Sequence, residues 1–207
     1  MMRLTLTRGC PNGCEYCPES KVVPTFAELP NPDVFKGDIQ ILDMNLLYHP
    51  RAMEFLRLLP KGRYELVCGV DWRRLTQEVC DLMHSKGFVK PRWAWDYWFS
   101  QQKIHAKVWQ MFKKAGYKSE ELSVFMLVNW EISYDECCRK LDLLKVWNVK
   151  VNDCCWDGGY KRAKPQAWTI DHLKDFRKKC RKHNQLVNFK IDPEENLGAQ
   201  QRRLDSW

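Results

Sequence analysis

Cys10-Pro-Asn-Gly-Cys14-Glu-Tyr-Cys17 brings three thiols into one short stretch, directly after an apolar and polar alternation, Leu4-Thr-Leu-Thr-Arg-Gly. Thiolates this close in one loop can converge on one metal centre, and soft sulfur ligands suit zinc or an iron–sulfur cluster. The number of ligands then decides. A closed structural site takes four protein ligands as a rule, whereas three thiolates on a four-iron cluster leave one iron open to bind something else. An open iron implies chemistry rather than scaffolding. The C-x3-C-x2-C spacing makes Cys10, Cys14 and Cys17 the candidate metal ligands.

The elements that must position this loop read as alternating short apolar runs and longer amphipathic stretches. Strands are expected at Leu4–Thr7, Ile39–Asp43, Tyr64–Cys68, Arg92–Trp95, Leu122–Val128 and Val149–Asn152. Helices are expected around Pro50–Leu59, Thr76–Lys86, Ile104–Ala115, Tyr134–Trp147 and Ile170–His183, two of them closed by glycine at Lys86-Gly87 and Ala115-Gly116. Six strand–helix units joined by right-handed crossovers give a parallel α/β sheet, closed partly into a barrel or lying doubly wound. The cysteine loop favours the barrel, because functional loops sit at the carboxyl ends of parallel strands. Asp43 and Asn45, Asp71 and Arg73, Asp96, and Asn129 follow successive strands in the same way and are expected at one opening.

Size and charge set the frame. The 207 residues fit one domain, 1–207, ending in a tail of about 15 residues. With 44% hydrophobic and 29% charged residues the chain is an ordinary globular one, and no window approaches the roughly 20 apolar residues of a membrane span. The first residues lack the apolar run of a secretory signal, so a cytoplasmic location is expected. Ten cysteines in a chain this long point to a reducing compartment rather than a disulfide scaffold. The excess of 34 Lys and Arg over 26 Asp and Glu, +8, fits either an anionic partner such as a nucleotide or nucleic acid, or a solvated basic surface along Lys174–Lys182.

These residues resemble the radical S-adenosylmethionine (radical SAM) superfamily, whose loop has this cysteine spacing with an aromatic, here Tyr16, before the last cysteine. Six strand–helix units after such a loop are similar to its partial (β/α)6 barrel, over residues 3 to 190. The Asp43-Met-Asn-Leu-Leu run, the Gly69-Val-Asp-Trp-Arg-Arg-Leu-Thr run and Asp96 resemble a subgroup found in phage and metagenomic sequences. The resemblance implies a [4Fe-4S] cluster on Cys10, Cys14 and Cys17, with the amine and carboxylate of S-adenosylmethionine on the fourth iron. It also implies oxygen sensitivity, an external one-electron reductant of flavodoxin or ferredoxin type, and cleavage to a 5′-deoxyadenosyl radical that takes hydrogen from a substrate. Tyr16 is then expected near the adenine. Where many members carry a Gly-Gly-Glu-Pro-like run for the methionyl amine, this chain has Leu42-Asp43-Met44-Asn45, so Asp43 or Asn45 takes that role. Arg73 or Arg74 would clamp the carboxylate, and Asp96 or Asn129 the ribose hydroxyls.

Two other classes stay open on the residues alone: a cluster-binding redox or regulatory protein without turnover, and a zinc-dependent nucleic-acid-binding module. Of the other cysteines, Cys80, Cys137 and Cys138 fall in amphipathic helices and read as small buried hydrophobes, while Cys154 or Cys155 is a candidate for the opening. Trp93, Trp95 and Trp109 read as core, and Trp130 and Trp156 as pocket walls.

Overall fold

The computed structural model describes residues 2–156 and 168–190; the expected tail lies outside them. Its strands are β1 (Met2–Leu4), β2 (Thr7–Arg8), β3 (Thr25–Phe26), β4 (Asp38–Ile41), β5 (Arg63–Leu66), β6 (Arg92–Ala94), β7 (Ser123–Val128) and β8 (Lys150–Cys155). The helices are α1 (Ala52–Leu58), α2 (Gln77–Lys86), α3 (Gln102–Lys114), α4 (Tyr134–Trp147) and α5 (Ile170–Phe189).

β1, β4 and β5 pair in parallel, as do β6, β7 and β8. Parallel bridges Tyr64–Phe88 and Val70–Trp93 join the two groups. Six parallel strands thus stand side by side in chain order, the arrangement of the expected partial barrel. β7, Ser-Val-Phe-Met-Leu-Val, is buried at five of its six positions, as befits a parallel strand covered on both faces.

Local chemistry starts and stops the helices. Thr76 accepts from Val79 N–H at the start of α2, and Ser133 accepts from Glu136 N–H at the start of α4. Gly87 ends α2 with φ +91°, and a Cβ there would lie 2.0 Å from Gly62 O, so the position excludes any side chain.

Trp93 and Trp95 lie in the core and Trp109 packs against it, as their spacing predicts. Trp93 stacks on Phe112 at 5.8 Å. Trp109 lies 5.4 Å from Trp147 and nearly parallel to it, wedging α3 against α4.

Two expectations are corrected. The first strand ends at Leu4 rather than Thr7, because both carboxylate oxygens of Asp43 accept from Leu6 N–H, at 3.0 and 3.1 Å, and take it out of the ladder. The first unit also has no α-helix among the described residues. Between β1 and β4 the chain makes the antiparallel pair β2–β3 and two short 3-10 turns, Pro18–Lys21 and Pro32–Val34, with Pro24, Pro30 and Pro32 breaking any longer helix.

Candidate active site

The cysteine motif lies in the loop between β2 and β3, and that pair closes its base. Gly9 opens the loop with φ +72°, where a Cβ would meet Val22 O at 2.5 Å. Cys10 N–H donates to Glu19 O at 3.0 Å and Gly9 N–H to the Glu19 carboxylate at 3.1 Å. The Ser20 hydroxyl donates toward Cys14 O and Cys17 O, at 2.9 and 2.7 Å. Glu19 and Ser20 therefore staple the loop, a role their plain loop sequence did not reveal.

All three motif cysteines line one cavity of about 160 Å³, together with Asn45, Asp71, Arg73 and Asp96 from successive strand ends. That volume is below the roughly 300–1,000 Å³ of small-molecule sites. Admitting a nucleoside-sized ligand requires the rim to shift, and Met44 and Arg73 are its partly exposed members.

Asp71 is the hub of the polar wall. Its Oδ2 accepts from Asn12 Nδ2 at 2.8 Å and from Asn45 Nδ2 at 3.0 Å, while its Oδ1 accepts from Arg73 N–H and Nη1. Burial alone would raise its pKa, but the Asn12, Arg73 and Asn45 donors and the guanidinium charge hold it below the usual carboxylate range. Asn45 is 2% exposed. Its Nδ2 also reaches Cys10 Sγ at 3.5 Å, and its Oδ1 is buried without a donor. An orphaned buried acceptor is costly, and in a residue that lines the cavity it suits an incoming N–H group.

Tyr16 donates its hydroxyl to Asp96 Oδ2 at 2.5 Å. Its ring packs edge-on against Trp130 at 5.7 Å and tilted against Tyr97 at 6.2 Å. Burial, then the Asp96 carboxylate, push the Tyr16 pKa up. Burial also raises the Cys17 thiol, partly offset by N–H groups of Glu19 and Ser20; a bound cation reverses such logic by deprotonating a coordinating thiol.

Other expected site residues stand elsewhere. Asp43 is fully buried and occupied with Leu6, and burial raises its pKa against the donors Thr7 and Leu6. Asn129, in a left-handed backbone with φ +62°, donates to Trp156 O at 2.9 Å and does not line the cavity. Trp130 and Trp156 form the support behind Tyr16 rather than the cavity wall. Cys154 is away from the cavity, its thiol pushed up to about 12 by burial. The cavity wall instead includes Cys68, the last residue of the expected third strand.

Among the described residues no three His, Cys, Asp or Glu side chains are placed to share one metal ion. A zinc knuckle needs its ligands around a single ion, whereas a four-iron cluster takes each thiolate on a different iron and holds the sulfurs farther apart.

No protein-family model and no curated protein sequence matches the chain. Solved structures do. The radical SAM methyltransferase TsrM from Kitasatospora setae, with cobalamin and a [4Fe-4S] cluster bound, superposes with a TM-score of 0.60 at 12% identity over 75% of this chain and 36% of that one. Coproporphyrinogen III oxidase (HemN) from Escherichia coli, a radical SAM enzyme, superposes with a TM-score of 0.60 at 11% identity over 88% of this chain and 52% of that one. The chain thus spans between about a third and a half of these proteins. The likeness, at such low identity, is one of architecture: this chain has the parallel α/β fold of radical SAM enzymes.

Proposed function

We propose that this chain is a radical SAM enzyme core, with Cys10, Cys14 and Cys17 holding a [4Fe-4S] cluster and S-adenosylmethionine bound beside it. One observation carries the reading: the three motif cysteines and Asn45, whose buried carbonyl lacks a donor, line one cavity at the carboxyl ends of the parallel strands β4, β5 and β6. Cys10, Cys14 and Cys17 would hold the cluster, which together with S-adenosylmethionine would supply radical chemistry able to take a hydrogen atom from a substrate.

The protein's own part is to bind and orient. Asn45 Oδ1 accepts from the methionyl ammonium, and Asp71 fixes the amide so that this oxygen faces inward. Arg73 takes the methionyl carboxylate, exchanging part of its contact with Asp71. Asp96, with one oxygen on Tyr16, keeps the other for a ribose hydroxyl. Asp43 acts from behind the wall by ending β1 where the loop must begin.

The finer kinship, with the phage and metagenomic subgroup, is supported by the runs at Asp43–Leu47 and Gly69–Thr76, which supply Asn45, Asp71 and Arg73. An external one-electron reductant and a reducing, cytoplasmic setting go with the cluster. Among the described residues no helix is long and apolar enough to cross a membrane. The charge of +8 favours an anionic substrate, nucleotide or nucleic acid.

The test is anaerobic reconstitution with iron and sulfide, reduction by dithionite and addition of S-adenosylmethionine, with chromatography for 5′-deoxyadenosine. Its formation is expected. An intact cluster that yields none points instead to a redox or regulatory role, and zinc without iron or sulfide points to the nucleic-acid-binding module.

A further inference from the structure

In β4, β5 and β6 burial alternates residue by residue, which separates two faces of the sheet. Ile39, Tyr64, Trp93, Val124 and Val151 lie on the buried face. Their neighbours Gln40, Glu65, Arg92, Phe125 and Asn152 lie on the other and are half-buried. The strand register joins these into one row. Arg3 is the partner of Gln40, and Gln40 of Glu65. The Glu65 carboxylate pairs with the Arg92 guanidinium, which stands over the Phe125 ring, 5.7 Å from its centre. Phe125 in turn is the partner of Asn152. A mostly polar row thus crosses all six parallel strands, although such strands usually carry apolar residues on both faces.

The row is more than a solvated edge. The Arg92 and Glu65 side chains are only 15% and 20% exposed, and apolar residues of the same volume would serve stability as well or better in such a place. Asn152 Nδ2 donates to Ser123 Oγ at 3.1 Å, which fixes the amide. The Arg3 and Gln40 side chains make no hydrogen bond or ion pair among the described residues. The row also adjoins the cysteine cavity. Ala94, two residues beyond Arg92 on β6, lines that cavity, about 7 Å further along the strand. Gly69 stands between Cys68 and Val70, both on the cavity wall, and a Cβ on Gly69 would come within 3.1 Å of both Arg92 Cγ and Phe125 Cε2.

The chemistry of the row defines its ligand. A carboxamide offers a donor and an acceptor side by side, the guanidinium and carboxylate pair does the same with charge, and Phe125 adds an apolar surface for a ring. Asn, Gln, Arg and Glu are the side chains that read the edges of bases. Two guanidiniums against one carboxylate leave the row positive, with exposed Arg3 at its end. Arg3 and Glu65 are two strands apart, roughly 10 Å at the strand spacing, which is the reach from phosphate to base in a mononucleotide.

We propose that this row is the substrate-recognition face and that it takes a nucleotide, with the base on Gln40 and the Glu65–Arg92 pair and the phosphate at Arg3. That the nucleotide is a substrate rests on the radical SAM reading of the adjoining cavity; that it binds does not.

The test is isothermal titration of the full chain without iron, using AMP, GMP, CMP and UMP, with ribose 5-phosphate as the probe that has the charge and lacks the base. At least one nucleotide is expected to bind, and ribose 5-phosphate to bind roughly tenfold or more weakly. Gln40→Ala is expected to weaken that nucleotide roughly fivefold, the scale of one neutral hydrogen bond, and Arg3→Ala roughly tenfold or more, the scale of a bond to a charged group. Should Gln40→Ala not fold, Gln40→Leu, which keeps the shape, carries the same readout. No binding by any of the four at millimolar concentration overturns the proposal, as does ribose 5-phosphate binding equally well. Affinity that survives Gln40→Ala but falls in Asn45→Ala also overturns it, because the base then sits in the cysteine cavity. None of these readouts needs the cluster, so a chain that binds the nucleotide but forms no 5′-deoxyadenosine refutes the radical SAM reading while the recognition face stands.

Discussion

Asn45 and Asp71, carried by the ends of consecutive parallel strands, meet at 3.0 Å with the amide donating to the carboxylate. That bond commits the Asn45 nitrogen and leaves its oxygen buried without a donor in a residue that lines the cavity. Asn45→Ala is therefore expected to weaken S-adenosylmethionine binding roughly tenfold or more, the scale of a hydrogen bond to a charged group, while leaving cluster absorption intact. Equilibrium binding on the reconstituted protein measures this, and undiminished affinity would remove Asn45 from the site.

Cys14→Ala takes one thiolate from a set with none to spare. Both the visible absorption of the cluster and 5′-deoxyadenosine formation are expected to vanish. Wild-type iron and sulfide content in the variant would refute the ligand assignment.

Asp43→Ala separates a structural anchor from an amine ligand. Leu6 N–H loses the Asp43 carboxylate as acceptor in a buried place, which costs about 1–3 kcal/mol and lowers the thermal midpoint by roughly 5 °C for a chain of this size. Affinity of the folded fraction for S-adenosylmethionine should stay at the wild-type level; a selective loss of affinity with unchanged stability would return Asp43 to the binding set.

Gly9→Ala places a methyl group 2.5 Å from Val22 O in a left-handed backbone. The strain, of order 1–3 kcal/mol, falls on the closure of the cysteine loop rather than on the barrel. Iron bound per chain after reconstitution should drop severalfold, with little change in far-ultraviolet circular dichroism. Full iron loading would show that the loop can close another way.

Burial, set against the attraction of Cys137, Asp96 and Glu136, lowers the Lys140 pKa from 10.5 to about 8. The folded state gives up this proton before the unfolded chain does, so between those values the unfolded state binds more protons and the Lys140 contribution to stability rises with pH. Below about 8 the cost of the buried charge is constant. Lys140→Met should be more stable than the wild type at pH 7, by a margin that shrinks as pH rises from 8 towards 10.5. Denaturant midpoints at several pH values give the margin, and a pH-independent one would contradict the buried charge.

Much of this was legible because the signals are local. β7 announces itself by a continuous apolar run, and the cysteine loop by spacing alone. The choice between Asp43 and Asn45 was not legible, since both share the parity of one extended segment and differ only in what they meet. Asp43 meets Leu6, 37 positions earlier in the chain, a contact no periodicity encodes. Asp71 as hub was hidden similarly, as one among several loop acids. The missing first helix was legible in principle, because Pro24, Pro30 and Pro32 interrupt that stretch.

The cysteine loop is the most local feature of the sequence and among the least local of the structure. Asn12 is tied to Asp71 and Tyr16 to Asp96, spans of 59 and 80 residues. On a growing chain the thiols emerge first, yet the strand ends that shape their loop follow only after synthesis has passed Asp96. Contacts of such long range close late in folding. Iron delivered early would meet three flexible thiols free to exchange it, and iron delivered late would meet a formed socket. On the proposed reading, the socket for the cluster is complete only once the β6 end is in place, which would make the folded apoprotein, not the nascent loop, its acceptor.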